Sequence, residues 1–288
     1  MPNVVASIEY LQNLPLYKEE KPYWCMLTPR EGFDPDEERL DNLEFEIHDG
    51  LTITDIRNSQ ANALIIDNCG FQVLSHTSKV MSFNTKDDVD KYKAETMEML
   101  TQELDAVFVK TYELRLRKNT PIDRPVMNIV DPLLFEGPAR GAHNDVTYDS
   151  GPVIINRYLT GEEKVDYLKP GYRFRIVNTW RSLVPDLEDR PLALCDARTV
   201  TAEDFVAADR IIPDRVGEVY YLLHNSNHRW YYLSKQSPDE PFLFIMYDTA
   251  PGENARFCPH VSFQNPVASP KALFRQSVET RSIVVTRL

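Results

Sequence analysis

The pattern of apolar and polar positions changes character along the chain. Residues 1–60 are polar and punctuated by proline, with a charge cluster at Asp34–Asp41, and read as an extended segment wrapping a core. Ala63–Val73 is an apolar run broken by a Gly turn, the pattern of one or two short strands. From Thr85 to Lys110 the period becomes helical: Val89, Tyr92, Thr96, Leu100, Leu104 and Val107 recur on one face. Thr85 can cap this helix, with Asp88 three residues on to complete a capping box. A stripe of this kind packs against a core.

Beyond Arg124 the pattern shortens into strand-like runs separated by turn residues. These are Pro125–Val130, Tyr172–Leu183, Leu192–Cys195, Glu218–Leu223, Arg229–Leu233, Phe242–Tyr247, Pro259–Phe263 and Ser277–Val285. Strands at that spacing build a sandwich, a jelly roll or a barrel. The predicted fold is therefore α+β but mainly β, a β core buttressed by N-terminal helices. One domain over 1–288 is expected, with 1–120 as the wrapping segment and helix and 121–288 as the core.

Composition narrows the function classes. The 288 residues carry 44 Asp plus Glu against 32 Lys plus Arg, a net charge of −12, which disfavours a nucleic-acid backbone as partner. The four cysteines Cys25, Cys69, Cys195 and Cys258 form no CxxC pair, so neither a disulfide framework nor a zinc knuckle is expected. No secretory leader pattern and no 18-residue apolar run is present. The expected setting is the cytoplasm, with no membrane span.

Candidate chemistry centres on the histidines. In Gly141-Ala142-His143-Asn144-Asp145 an imidazole and a carboxylate lie two apart, and on an extended strand both point to one face. Near the C-terminus His260-Val261-Ser262-Phe263 precedes Arg275-Gln276-Ser277. Two His and one carboxylate leave three positions of an octahedral iron open. A 2-oxo acid can chelate two of these, and its distal carboxylate then needs a buried cationic fork, which Arg supplies. H-x-D, a distant His and then R-x-S is the order such an iron(II)/2-oxoglutarate oxygenase requires. His224 and His228 compete with His260 for the second imidazole. No Arg-x-Ser/Thr lies on the strand after them, which favours His260, with His228 as the alternative. Asp149 and Asp196 are alternative carboxylates, though Asp149 reads as a turn residue. His48 and His76 read as surface or core residues. Asn178 and Trp180, in Asn178-Thr179-Trp180-Arg181, share a strand face and read either as sheet-edge packing or as a cosubstrate wall. Tyr220, Tyr221, Trp230, Tyr231 and Tyr232 read as an aromatic hairpin, mostly core, with one or two lining an apolar pocket.

These residues carry a resemblance that runs nearly end to end. Ser7-Ile8-Glu9-Tyr10-Leu11, Glu20-Lys21-Pro22-Tyr23 and Asp55-Ile56-Arg57 open it. His143-Asn144-Asp145, Asn178-Thr179-Trp180-Arg181, Pro191-Leu192-Ala193-Leu194-Cys195-Asp196 and His228-Arg229-Trp230-Tyr231-Tyr232 continue it. Tyr247-Asp248-Thr249, Pro259-His260-Val261-Ser262-Phe263 and Arg275-Gln276-Ser277-Val278-Glu279-Thr280-Arg281 close it. The chain resembles the fungal hydroxylase/desaturase family of secondary metabolism, which includes gibberellin desaturases and meroterpenoid oxygenases. Ser182 departs from the family, which often has Pro after Trp-Arg.

The resemblance implies a double-stranded β-helix of jelly-roll or cupin type. It implies Fe(II) on His143, Asp145 and His260, with 2-oxoglutarate on Arg275, Ser277 and Asn178. It also implies O2 as oxidant, ascorbate as a candidate reductant and a small apolar natural product such as a terpenoid as substrate. A homodimer, or a heterodimer with a paralogue, fits the family. Two rivals stand beside this reading: a non-catalytic subunit that stabilises an active partner, and a cupin-type metal isomerase or hydrolase that uses no 2-oxoglutarate.

Overall fold

The computed structural model describes residues 3–34, 37–58, 64–120 and 131–288; the strand expected at Pro125–Val130 lies outside them. The chain opens with strands β1 (Val4–Leu11), β2 (Tyr23–Cys25) and β3 (Phe45–Asp55). A one-turn helix α1 (Ile66–Cys69) leads into β4 (Phe71–Val73), then helix α2 (Lys86–Glu103), then β5 (Phe108–Lys118). The short strands β6 (Phe135–Glu136) and β7 (His143–Asn144) precede helices α3 (Ser150–Tyr158) and α4 (Gly161–Tyr167). Eight strands complete the chain: β8 (Tyr172–Ser182), β9 (Leu192–Cys195), β10 (Phe205–Ile212), β11 (Arg215–Leu222), β12 (Trp230–Tyr232), β13 (Phe242–Asp248), β14 (His260–Ser262) and β15 (Gln276–Arg287).

These strands form two sheets. The larger runs β1-β3-β12-β9-β14-β7-β11-β10-β2, the smaller β4-β13-β8-β15-β5-β6. Strand alternation explains how they share a core. Leu192 and Leu194 of β9 join Trp180, Phe242, Phe244 and Ile283 of the smaller sheet in one buried cluster. Their neighbours Ala193 and Cys195 face the opposite way, against Ile8, Tyr10, Trp230 and Tyr232. A strand covered on both faces reads as an unbroken apolar run, and all four residues of β9 are buried.

Four expectations need correction. The N-terminal third supplies strands rather than several helices: β1 pairs with β3, and β3 reaches the larger sheet through β12. Among the described residues there, α2 alone acts as a long buttress. Its Thr85–Asp88 capping box is formed, and it packs Val89 and Tyr92 against Leu114, Leu116 and Val278 on the smaller sheet. That helix ends at Glu103 rather than Lys110. Asp105 takes a positive φ of 48°, and from Phe108 the chain pairs with β15, a ladder that overrides the local helical period. Within Ala63–Val73, Ile66–Cys69 coils into α1 because Gly70, at φ 92°, closes it as a left-handed cap. Finally, Tyr220–Tyr221 and Trp230–Tyr232 form no hairpin. β11 pairs with β10 and β7, whereas β12 pairs with β3 and β9.

Candidate metal centre

His143 and His260 lie far apart in sequence but are direct cross-strand partners, β7 against β14. Their rings stand 4.4 Å apart, centroid to centroid. With Asp145 they present one ligand atom each, all within 4.8 Å of one another. Gly141 sets up the first of them. It holds a φ of +67°, and its carbonyl accepts a hydrogen bond from His143 Nδ1 at 2.8 Å. A carbonyl only accepts, so Nδ1 carries the proton and the Nε2 lone pair is left free for a cation. On His260 it is likewise Nε2 that faces Asp145, at 3.9 Å.

Asp145 is gripped from the opposite sheet. Asn178 Nδ2 on β8 donates to one carboxylate oxygen at 2.6 Å, and Arg281 on β15 donates to the other at 2.7 Å. Asn178 and Arg281 are themselves cross-strand partners. The triad therefore stands on one sheet and its support on the other. β8 lies between β13 and β15, so Asn178-Thr179-Trp180-Arg181 is interior rather than sheet edge.

Electrostatics suit a dication. Burial works against the Asp145 carboxylate, but Arg281 and the two imidazoles outweigh it and hold Asp145 well below the usual range. Burial, reinforced at His143 by the neighbouring His260, lowers both histidines to about 4, so both are neutral ligands at pH 7. Burial, together with the Asp145 charge, raises Glu279.

Arg275, one residue ahead of β15, is 2% exposed and makes no ion pair among the described residues. Its Nε donates to Ser277 Oγ at 3.3 Å, and its guanidinium lies over the Trp180 ring at 5.1 Å. It shares a narrow cleft with His143, His260 and Ser262, whose buried hydroxyl has no hydrogen-bond partner. An unpaired cation and an orphaned hydroxyl beside three ligands suit a chelating dicarboxylate. A second space, a cavity of about 410 Å³, is walled by Trp24, Leu43, Phe45 and Tyr221 and opens on His143 and Asp145.

The remaining candidates stand elsewhere. His228 hydrogen-bonds Asp204 at 3.2 Å and lies 3.4 Å from the Tyr10 hydroxyl, outside the triad. His48 stacks on His224, and His76 Nδ1 accepts from Arg181. Asp196 is bound to Arg198, and Asp149 is exposed at the start of α3. Ser182, the departure from the family pattern, closes β8 by hydrogen bonding to the backbone of Val184. Sequence reasoning missed Arg281 and Glu279. The signal was alternation: Ser277, Glu279 and Arg281 occupy every second position of β15, in step with Arg275 just ahead of it.

With this geometry in place, known proteins offer a comparison. A family model described as an oxidoreductase/YMDC permease-like domain matches residues 8–285. No described helix is long and apolar enough to cross a membrane. The hydroxylase/desaturase efuI of Hormonema carpetanum is 30% identical over 253 residues, 81% of this chain and 82% of that one. The alpha-ketoglutarate-dependent dioxygenase tstK of Talaromyces stipitatus is 28% identical over 246 residues, covering 82% of this chain and 84% of the relative. Among solved structures, the iron and alpha-ketoglutarate-dependent endoperoxidase NvfI superposes with a TM-score of 0.81 at 23% identity, over 100% of this chain and 99% of that one. That match establishes a shared fold.

Proposed function

This chain belongs to the fungal hydroxylase/desaturase family of secondary metabolism, and from that premise we propose how its residues serve an Fe(II)/2-oxoglutarate-dependent dioxygenase. The enzyme oxidises a small natural product by hydroxylation, desaturation or a related C–H oxidation. The observation that carries the reading is the convergence of two neutral imidazoles and a carboxylate beside Arg275, a buried cation in no ion pair among the described residues. An accessory subunit needs neither the intact triad nor that cation.

His143, Asp145 and His260 hold Fe(II), while Arg275 and Ser277 seat the distal carboxylate of 2-oxoglutarate. When bound, the iron supplies O2 activation, with 2-oxoglutarate as electron source and succinate and carbon dioxide as products. The protein's own residues do the rest. Arg281 and Asn178 keep Asp145 ionised and fix its two oxygens; Gly141 fixes the His143 tautomer. Asn178 thus acts through Asp145 rather than on the cosubstrate directly. Phe45, Leu43 and Tyr221 wall the substrate cavity and exclude water from the reacting C–H bond.

The two facing sheets form a double-stranded β-helix acting as a single oxygenase unit across 1–288. The setting is the cytoplasm, supported by four free thiols. A homodimer fits, because Ile47 and Val5 expose apolar surface on the paired strands β1 and β3. The test is succinate formation from 2-oxoglutarate with and without Fe(II), for the wild type and Asp145→Ala. The wild type should require iron, and Asp145→Ala should form no succinate above the metal-free blank. Wild-type turnover in that variant would remove Asp145 from the centre.

A further inference from the structure

The cavity beside the triad carries a cation that the oxygenase reading does not use. Four guanidiniums line it: Arg117, Arg140, Arg210 and Arg281. Arg117 binds Glu136 and the Gly137 carbonyl, Arg140 binds Glu9, and Arg281 binds Asp145 and Glu113. Arg210 alone among them donates to no oxygen of the described residues. Its one hydrogen-bonding contact is Nε to the Met26 sulfur at 3.2 Å, a weak acceptor. Of the nearby carboxylates, Glu113 and Glu136 are committed to Arg115 and Asp209 to Lys21, while Asp41, which also lines the cavity, accepts from the Leu43 backbone N–H.

Register places this cation on the side where a substrate must lie. His143 pairs with Tyr221, Tyr221 with Val206, and Gly217 with Arg210. Positions 217, 219 and 221 have one parity on β11, and 206, 208 and 210 one parity on β10. Arg210 therefore shares a sheet face with His143, Val219 and Tyr221. Its partner on β11 is glycine, so no side chain fills the space on that flank, while Trp24, its partner on β2, walls the other. Arg210, Val219, Asp145 and Arg281 also line a second cavity of about 300 Å³, so Arg210 stands where the two spaces meet at the triad. Burial, with Arg281 and Arg115 nearby, lowers the Arg210 pKa, which marks its charge as under-compensated. Loading Fe(II) together with dianionic 2-oxoglutarate adds no net charge, so the imbalance at Arg210 persists.

We propose that the substrate is a small carboxylic acid, its carboxylate held by Arg210 and its apolar skeleton by Phe45, Leu43, Val219 and Tyr221. This rests on the oxygenase reading and adds the substrate class to it. An Arg fork donates two parallel hydrogen bonds to a carboxylate and none as strong to a neutral amide. The bound acid presents its C–H bonds between that anchor and the triad.

The test is calorimetric titration of the protein loaded with Mn(II) and saturating 2-oxoglutarate, so that Arg275 is filled and no turnover occurs. The probes are 1-naphthylacetate and its neutral amide. The acid should bind at least about tenfold more tightly than the amide, about 1.4 kcal/mol. Arg210→Met should bring the acid to the amide's affinity with the amide unchanged, and Arg210→Lys should retain part of the preference. A purely structural Arg210 would shift both probes together. Equal affinity for the two probes, binding of neither up to 10 mM, or a preference that survives Arg210→Met would each overturn the proposal. So would a preference, measured without 2-oxoglutarate, that disappears in Arg275→Met but persists in Arg210→Met. If Arg210→Met does not fold, Arg210→Gln takes its place. Failure of the oxygenase reading is seen separately, as no binding of 2-oxoglutarate to the Mn(II)-loaded protein, and the acid–amide comparison in metal-free protein still reads Arg210.

Discussion

Replacing Gly141 with alanine perturbs the metal centre without touching a ligand, and its cost can be worked from two features. The backbone there holds φ +67°, so an L-residue pays conformational strain of about 1 kcal/mol. A Cβ at that position would also stand 2.3 Å from Phe45 Cε1 and 2.9 Å from Cδ1. Contacts that short cannot persist, so the Phe45 ring must leave its rotamer or the Gly141 segment must shift, adding about 1–3 kcal/mol. The expected destabilisation is about 2–4 kcal/mol by urea unfolding. Displacing the Gly141 carbonyl also loosens His143, so Mn(II) affinity should fall in parallel. A double-mutant cycle separates the terms. In a Phe45→Ala background the steric part vanishes and Gly141→Ala should cost only about 1 kcal/mol. The same cost in both backgrounds would refute the steric argument, and a total below about 0.5 kcal/mol would refute the left-handed backbone as well.

Further outcomes follow from the same geometry. Asn178→Ala removes one of the two groups holding Asp145 and should weaken metal binding about 10–100-fold in a chelator competition; unchanged affinity would show that Arg281 suffices. Glu113 is held at about 2, because Arg281 and Arg115 overcome the opposing effect of burial. A depressed carboxylate contributes stability that is present above its unfolded value near 4.5 and is lost as pH falls through about 2. The wild type should lose roughly 3 kcal/mol from this group across that window, and Glu113→Gln should flatten this part of the acid limb in urea melts taken from pH 5 to 2. Thr85→Ala breaks the capping box of α2 and should cost about 1 kcal/mol in the same assay, with no change in metal affinity.

The parts of the molecule legible in the sequence are those where one local signal decides. β9 and β13 are buried on both faces and read as apolar runs; Thr85 and Asp88 mark the start of α2 unaided. The end of α2 was not legible, because Leu104 and Val107 continue the helical period while the β5–β15 ladder takes the chain from Phe108. β1 did carry an alternating signal, Val4, Ala6, Ile8 and Tyr10 inward, but the polar segment around it masked that pattern. At the site, His143-Asn144-Asp145 announces itself by spacing. Arg281 does not, since its role depends on β15 lying beside β8, a pairing no local window contains. Arg210 is harder still: what distinguishes it is the absence of an oxygen partner for its guanidinium among the described residues, which only the packed structure reveals.

The alternation along β15 has a consequence for how this enzyme can vary. Arg281 lies on β15 and Arg275 immediately ahead of it, six residues away, so extended backbone sets the distance between them at roughly 20 Å. The strand works as a ruler whose two marks are the proposed seat of the cosubstrate and the brace of the Asp145 carboxylate. A single inserted or deleted residue between the marks would turn one of them to the opposite face of the sheet. Length changes in this stretch should therefore be all-or-none in their effect. Substrate range has to be tuned instead at β2, β3, β10 and β11, whose residues wall the cavity without being tied to that measure.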